Sequence, residues 1–166
     1  MKNIEDNWFK IKGKLVFDPD NVTNKHHSQS SWKRTAMVMI NDDLSEYYSW
    51  FLLKRFNLKL SAPLRGTHFT IINDKVDNLV KYDLIREEFN NKIIEVEYCP
   101  SQIRTDGSHW WLRGRCLIGN EIRVSAGLNG KPYFGFHITI GRPYEKHIEH
   151  SKYIHKLIEK YGELNY

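Results

Sequence analysis

The chain has 166 residues, 40 % of them hydrophobic and 13 % aromatic, with a formal net charge of +5. That length supports one domain with its own core, and the composition excludes a disordered chain. The basic balance favours anionic partners without naming one. Two cysteines, Cys99 and Cys116, stand outside any CxxC spacing, which excludes a disulfide framework or a zinc ribbon and fits a reducing cytosolic setting. No apolar run reaches the length of a membrane span, and the N-terminus lacks the apolar run of a signal peptide.

In chain order, WFKIKGKLVF (8–17) alternates and then stops at DPDN, a strand followed by a turn. The polar stretch 21–34, containing His26 and His27, reads as an exposed loop. TAMVMI (35–40) reads as a short buried strand. Segment 41–57 opens with a capping, acidic turn and closes with Lys54 and Arg55, while Leu44, Tyr48, Phe51 and Leu52 recur at helical spacing, so it reads as a helix. SAPLRG (61–66) is a turn and THFTIIN (67–73) a strand. A second amphipathic helix is expected over 76–91.

Strands are expected at 92–99 and 108–119, joined through an RTDG turn as a hairpin. Segment 120–128 stays open between strand and short helix, because its β-branched residues and its length point different ways. FHITIGR (136–142) is a strand and 146–162 a terminal helix. The mixture is α+β, with sheets covered by outer helices, in a single domain spanning 1–166.

One pattern occurs twice: His68-Phe-Thr70-Ile and His137-Ile-Thr139-Ile. Strand alternation puts His68 and Thr70 on one face and Phe69 and Ile71 on the other, and the second copy behaves alike. A single copy is an ordinary strand. Two copies on strands of the two halves of one domain make a candidate site, if those strands lie side by side. Two imidazoles suit concerted acid–base work near neutral pH. One deprotonates a nucleophile and the other protonates a leaving oxygen, while Thr70 and Thr139 donate to non-bridging phosphate oxygens. The arrangement requires no metal or other cofactor.

The two motifs resemble the paired His-x-Thr-x signatures of the 2H phosphoesterase superfamily. The segments around them, including HWWLRG (109–114), are most similar to the phage anti-CBASS nucleases, which destroy cyclic oligonucleotide signals of bacterial immunity. The resemblance covers the chain from about residue 32 onward. It implies a bilobal, pseudo-symmetric fold, with antiparallel sheets lining a central cleft and helices outside. It implies His68 and His137 as the acid–base pair and Thr70 and Thr139 as phosphate donors. It further implies a metal-independent phosphodiesterase acting on 3′–5′ linkages of cyclic di- and trinucleotides in the cytoplasm of an infected bacterial host. The expected protein is a monomer whose partner is that substrate, rather than a membrane or duplex nucleic acid. RNA-end or 2′–5′ oligonucleotide cleavage, and nucleotide sequestration without cleavage, are the alternatives.

Further substrate-binding candidates lie nearby. Arg65 and Arg142 stand close to the motifs and can pair with phosphate. Trp110 and Trp111 are adjacent on a strand and so face opposite ways; one stacks a base and the other is core, with Trp110 favoured for the cleft. Trp32, Tyr144 and Tyr133 are further stacking candidates. His147 and His150 share a helical face, yet no acidic or cysteine partner supports a metal site there.

Overall fold

The computed structural model describes residues 7–19, 35–73 and 81–162. Its elements are β1 (Phe9–Phe17), β2 (Ala36–Met39), α1 (Asp43–Phe56), β3 (Leu60–Ser61), β4 (His68–Ile72), α2 (Tyr82–Phe89), β5 (Ile93–Thr105), β6 (Trp110–Arg115), α3 (Leu117–Ser125), β7 (His137–Pro143) and α4 (Ile148–Tyr161). Apart from the two-residue β3 and a single turn of 3-10 helix at Glu145–His147, strand–strand–helix–strand–helix occurs twice in succession.

All strand pairings between these elements are antiparallel, in the order β7-β4-β2-β1-β5-β6, and β6 returns to β7 to close a six-stranded ring. Closure leaves β3 as a short appendage on β7, and it removes the exposed edges that an open sheet would present. The hydrogen bonding thus forms one ring rather than two separate sheets. Each half nevertheless supplies three consecutive strands of it. The halves meet at two seams, β1–β5 and β4–β7.

Leu15, Val38, Phe69, Ile71, Val96, Leu112, Ile138 and Ile140 are all buried in one apolar core. Their alternation with polar neighbours follows from the two-residue period of a strand. The helices exchange between halves: α1 packs against β7, and α3 against β4. α1 begins where Asn41 Oδ1 accepts from the Asp43 N–H at 3.0 Å, and ends with Asn57 in the left-handed conformation.

Several boundaries differ from the sequence reading. The segment left open at 120–128 is helical, and the helix begins at Leu117, where the expected strand 108–119 has already ended. The Cys116 sulfur caps it by accepting from the Gly119 N–H at 3.2 Å. β5 continues past Cys99 to Thr105 through a bulge between Cys99 and Ile103. Of the helix expected at 76–91, Tyr82–Phe89 is helical and 74–80 lies outside the described residues, as does the loop 21–34. Among the described residues, no helix is long and apolar enough to cross a membrane.

Candidate active site

β4 and β7 are neighbours, and their single bridged pair is Phe69↔Ile138. These two residues occupy equivalent places in the two motifs, so a local two-fold axis runs between them. Both side chains point into the core. His68, Thr70, His137 and Thr139 therefore share the opposite, outer face of the ring, and all four are half-buried. Antiparallel direction sets His68 towards Thr139 and Thr70 towards His137. The two histidines stand on a diagonal, which in regular pairing spans roughly 7–8 Å.

The equivalence extends beyond the four-residue pattern. Pro63-Leu-Arg-Gly66-Thr-His68-Phe-Thr70-Ile71 and Pro132-Tyr-Phe-Gly135-Phe-His137-Ile-Thr139-Ile140 match as P-x-x-G-x-H-x-T-I, a feature that aligning the chain on its two histidines exposes. Each copy opens with a turn closed by the glycine N–H donating to the proline carbonyl, at 3.1 Å for Gly66 and 2.9 Å for Gly135. Both glycines have φ of +71°, where a side chain is strained. The carbonyl of each glycine accepts from the histidine two residues on, at 2.8 Å for His68 Nδ1 and 3.0 Å for His137 Nδ1. A carbonyl only accepts, so the proton of each neutral ring sits on Nδ1 and the lone pair on Nε2. Among the described residues, neither Nε2 has a hydrogen-bond partner.

The turns are anchored by different means. Asp42 Oδ1 accepts from the Thr67 N–H at 2.7 Å and from the Thr67 hydroxyl at 3.0 Å, and Ser45 shares a 2.6 Å hydrogen bond with that hydroxyl. On the other side, the buried Arg123 of α3 donates to the carbonyls of Ile71 at 2.8 Å and Asn129 at 2.7 Å, fastening β4 to the approach of the second turn. Beneath the pair, Phe69 and Phe136 stack at 5.1 Å. Gly114 of β6 makes room for them, since a Cβ there would lie 2.5 Å from Phe69 Cε2.

Burial holds both imidazoles below the ordinary histidine value. The Gly66 carbonyl opposes this at His68, where Arg65 and His137 add to the lowering. At His137 the Gly135 carbonyl opposes it and His109 adds to it. Both rings are thus held neutral near pH 7, and a phosphate anion between them favours the protonated form of either. Arg65, half-buried beside the first motif, has its guanidinium lowered to about 10 by burial and stays cationic at neutral pH.

The structure reverses the orientation favoured for the two tryptophans. Trp110 is fully buried, and its indole N–H donates to Ser151 Oγ at 2.9 Å, so it cannot stack on a ligand. Trp111 is half-buried opposite Thr139, with its ring 6.1 Å from that of His137. The register shift between the two tryptophans accompanies this placement. Arg142 pairs with Ser61 of β3 through its backbone and is exposed: the bulge at Ile140 reverses the alternation, so Gly141 is buried opposite Trp110 and Arg142 faces outward, on the side of the histidines. Tyr144 lies beyond the strand end, roughly 16 Å along the chain from Thr139 at the usual rise, with Lys59 Nζ 5.3 Å from its ring centroid. Tyr144 does not join the site. Trp32, His26 and His27 lie outside the described residues.

His147 and His150 hold the start of α4 to the end of α1: His150 Nε2 bonds the Phe56 carbonyl at 2.6 Å, and His147 Nδ1 accepts from the Lys59 N–H at 3.4 Å. Among the described residues, no group of three His, Cys, Asp or Glu side chains is placed to hold a metal ion.

Arg113 is the neighbour that sequence reasoning misses. It is exposed on β6, opposite His137 in register. Its place beside the motif depends on pairing between strands that are distant in sequence, and no local spacing marks it. No protein-family model, curated protein or solved structure matches the chain.

Proposed function

We propose that the chain is a phosphodiesterase of the 2H type that opens 3′–5′ linkages in cyclic di- and trinucleotide messengers. The observation that carries this reading is the pair of histidines, each bonded at Nδ1 to its own glycine carbonyl, with two threonines on the same face. The doubled element order and the axis between Phe69 and Ile138 support the bilobal, pseudo-symmetric fold of that superfamily.

In the reaction, Nε2 of one imidazole takes the proton of the ribose 2′-OH as that oxygen attacks phosphorus. The P–O5′ bond breaks, and the Nε2–H of the other imidazole gives its proton to the departing 5′-oxygen. Thr70 and Thr139 donate to the non-bridging oxygens, where charge builds up. The first product is a linear oligonucleotide with a 2′,3′-cyclic phosphate end. On the resemblance of the motifs and their flanks, the setting is a phage-infected bacterial cytoplasm, where loss of the messenger defeats CBASS immunity.

Chromatography of products from a panel of 3′3′-linked cyclic nucleotides, with EDTA present, tests the proposal. H68A and H137A should each lower kcat by about 10²–10⁴-fold, the usual contribution of general acid–base catalysis. Full activity in either folded variant overturns the acid–base assignment. A preference for 2′,3′-cyclic RNA ends or 2′–5′ linkages overturns the substrate.

A further inference from the structure

The two-fold axis assigns partners on both sides of the reacting groups. On the side of the first motif, Met39 lies opposite His68 and Met37 opposite Thr70. On the side of the second, Arg113 lies opposite His137 and Trp111 opposite Thr139. Cross-strand partners share a face, with Cβ atoms roughly 4.5–5.5 Å apart. The wall along β2 is therefore apolar, and the wall along β6 carries a cation and an indole. Groups that act on the scissile phosphorus occur twice, related by the axis. Arg113 has no counterpart, so it serves a part of the ligand that the axis does not repeat.

The guanidinium is held and uncompensated. Arg113 Nη1 donates to Gln102 Oε1 at 2.9 Å, and Gln102 is itself buried. Arg115, two residues along the same strand face, is tied bidentately to Glu97 at 2.8 and 3.2 Å. Among the described residues, no carboxylate lies within ion-pair distance of Arg113. A fixed guanidinium with donors to spare is a site for a phosphate oxyanion. Beside it, Trp111 offers an aromatic face, and Arg104 of β5 stands opposite that tryptophan.

We infer that Arg113 binds the second, non-scissile phosphate of the substrate, making it the residue that selects an oligonucleotide ring over a single phosphodiester. This rests on the phosphodiesterase reading above and names the substrate class of that site. The phosphate one ribose away from the scissile one is the anion such a substrate brings to this wall.

The test compares kcat/KM for a cyclic dinucleotide with that for a linear dinucleoside monophosphate, which has one 3′–5′ linkage and no second phosphate. R113A should lower the ratio of the two roughly 10–100-fold, chiefly through KM for the cyclic substrate, the range expected for hydrogen bonds to a charged group. R113K should restore part of it. An equal fall on both substrates assigns Arg113 to the scissile phosphate or to folding and overturns the inference, as does an unchanged ratio. If wild-type protein cleaves neither substrate, the phosphodiesterase reading fails. Calorimetry with the cyclic dinucleotide then decides the anion site alone: tenfold weaker binding by R113A supports it, and equal binding, or no binding by either protein, overturns it.

Discussion

The turns Pro63–Gly66 and Pro132–Gly135 have the same backbone and different rims. Each closes through a glycine N–H and a proline carbonyl, and each glycine has φ of +71°. Each hands its glycine carbonyl to a histidine. The residues between are Leu64-Arg65 in one and Tyr133-Phe134 in the other. Tyr133 and Phe134 are 95 % and 82 % exposed, and they meet edge to face at 4.9 Å. What sets the two histidines is duplicated, and what faces solvent around them is not. On the proposed phosphodiesterase reading, the duplicated part serves chemistry at one phosphorus and the unlike rims distinguish the rest of the ligand.

Removing one donor from each copy tests whether the two halves share the work equally. T70V and T139V keep shape and lose the hydroxyl. Each should lower kcat on a cyclic dinucleotide by about 10²-fold, the usual loss for one oxyanion donor. If steady-state rates of the two variants differ by more than about tenfold, the halves do not share the work in the way their geometry implies.

A smaller effect separates the two glycines. G66A and G135A both place an L-residue at φ of +71°, a strain of about 1–2 kcal/mol. At Gly135 a new Cβ meets nothing within 4 Å, whereas at Gly66 it lies 3.1 Å from Asp42 Oδ1. That oxygen is already committed to the Thr67 N–H and hydroxyl, so it cannot retreat without loosening the turn. Denaturant midpoints should therefore show G66A less stable than G135A. Equal midpoints would mean that Asp42 does not fasten the first turn.

Which parts of this were legible in the sequence follows from the range of the interactions concerned. β4 and β7 alternate over a short period with apolar residues on one face, and the His-x-Thr pattern rides on that period. α1 has its capping Asn41 and its apolar spacing in one stretch. α3 hides because its capping atom is the sulfur of Cys116, and because Ile118, Ile122 and Val124 also suit a strand. The facing of Trp110 and Trp111 hides because β6 alternates regularly but two adjacent indoles leave the choice of face to the strands it pairs with, which bulge at Cys99/Ile103 and opposite Trp110/Trp111. Ring closure and the partnership of Arg113 with His137 depend on pairing between distant strands, which no local spacing records.

The smallest effect uses the histidines as reporters of their own burial. Both have pKa values below the ordinary 6.5 in the folded protein, where burial disfavours the imidazolium. In the unfolded chain they take up protons as the pH falls through about 6.5. Between that point and their lower folded values, the unfolded state binds more protons than the native one, so stability rises with pH across this window. Above it the two rings contribute no pH dependence. Below the folded values both states are protonated and the loss is complete. Wild-type protein should therefore lose stability from pH 7.5 to pH 5 more steeply than H68Q/H137Q, whose amides do not titrate. The quantity to compare is the change in denaturant midpoint over that interval, because the double substitution also alters packing and hence the absolute midpoint. H68Q and H137Q taken singly should each remove part of the slope. A slope that stays at the wild-type value in the double variant would place the acid sensitivity in other groups. It would also mean that the half-buried face holding the two motifs does not desolvate them.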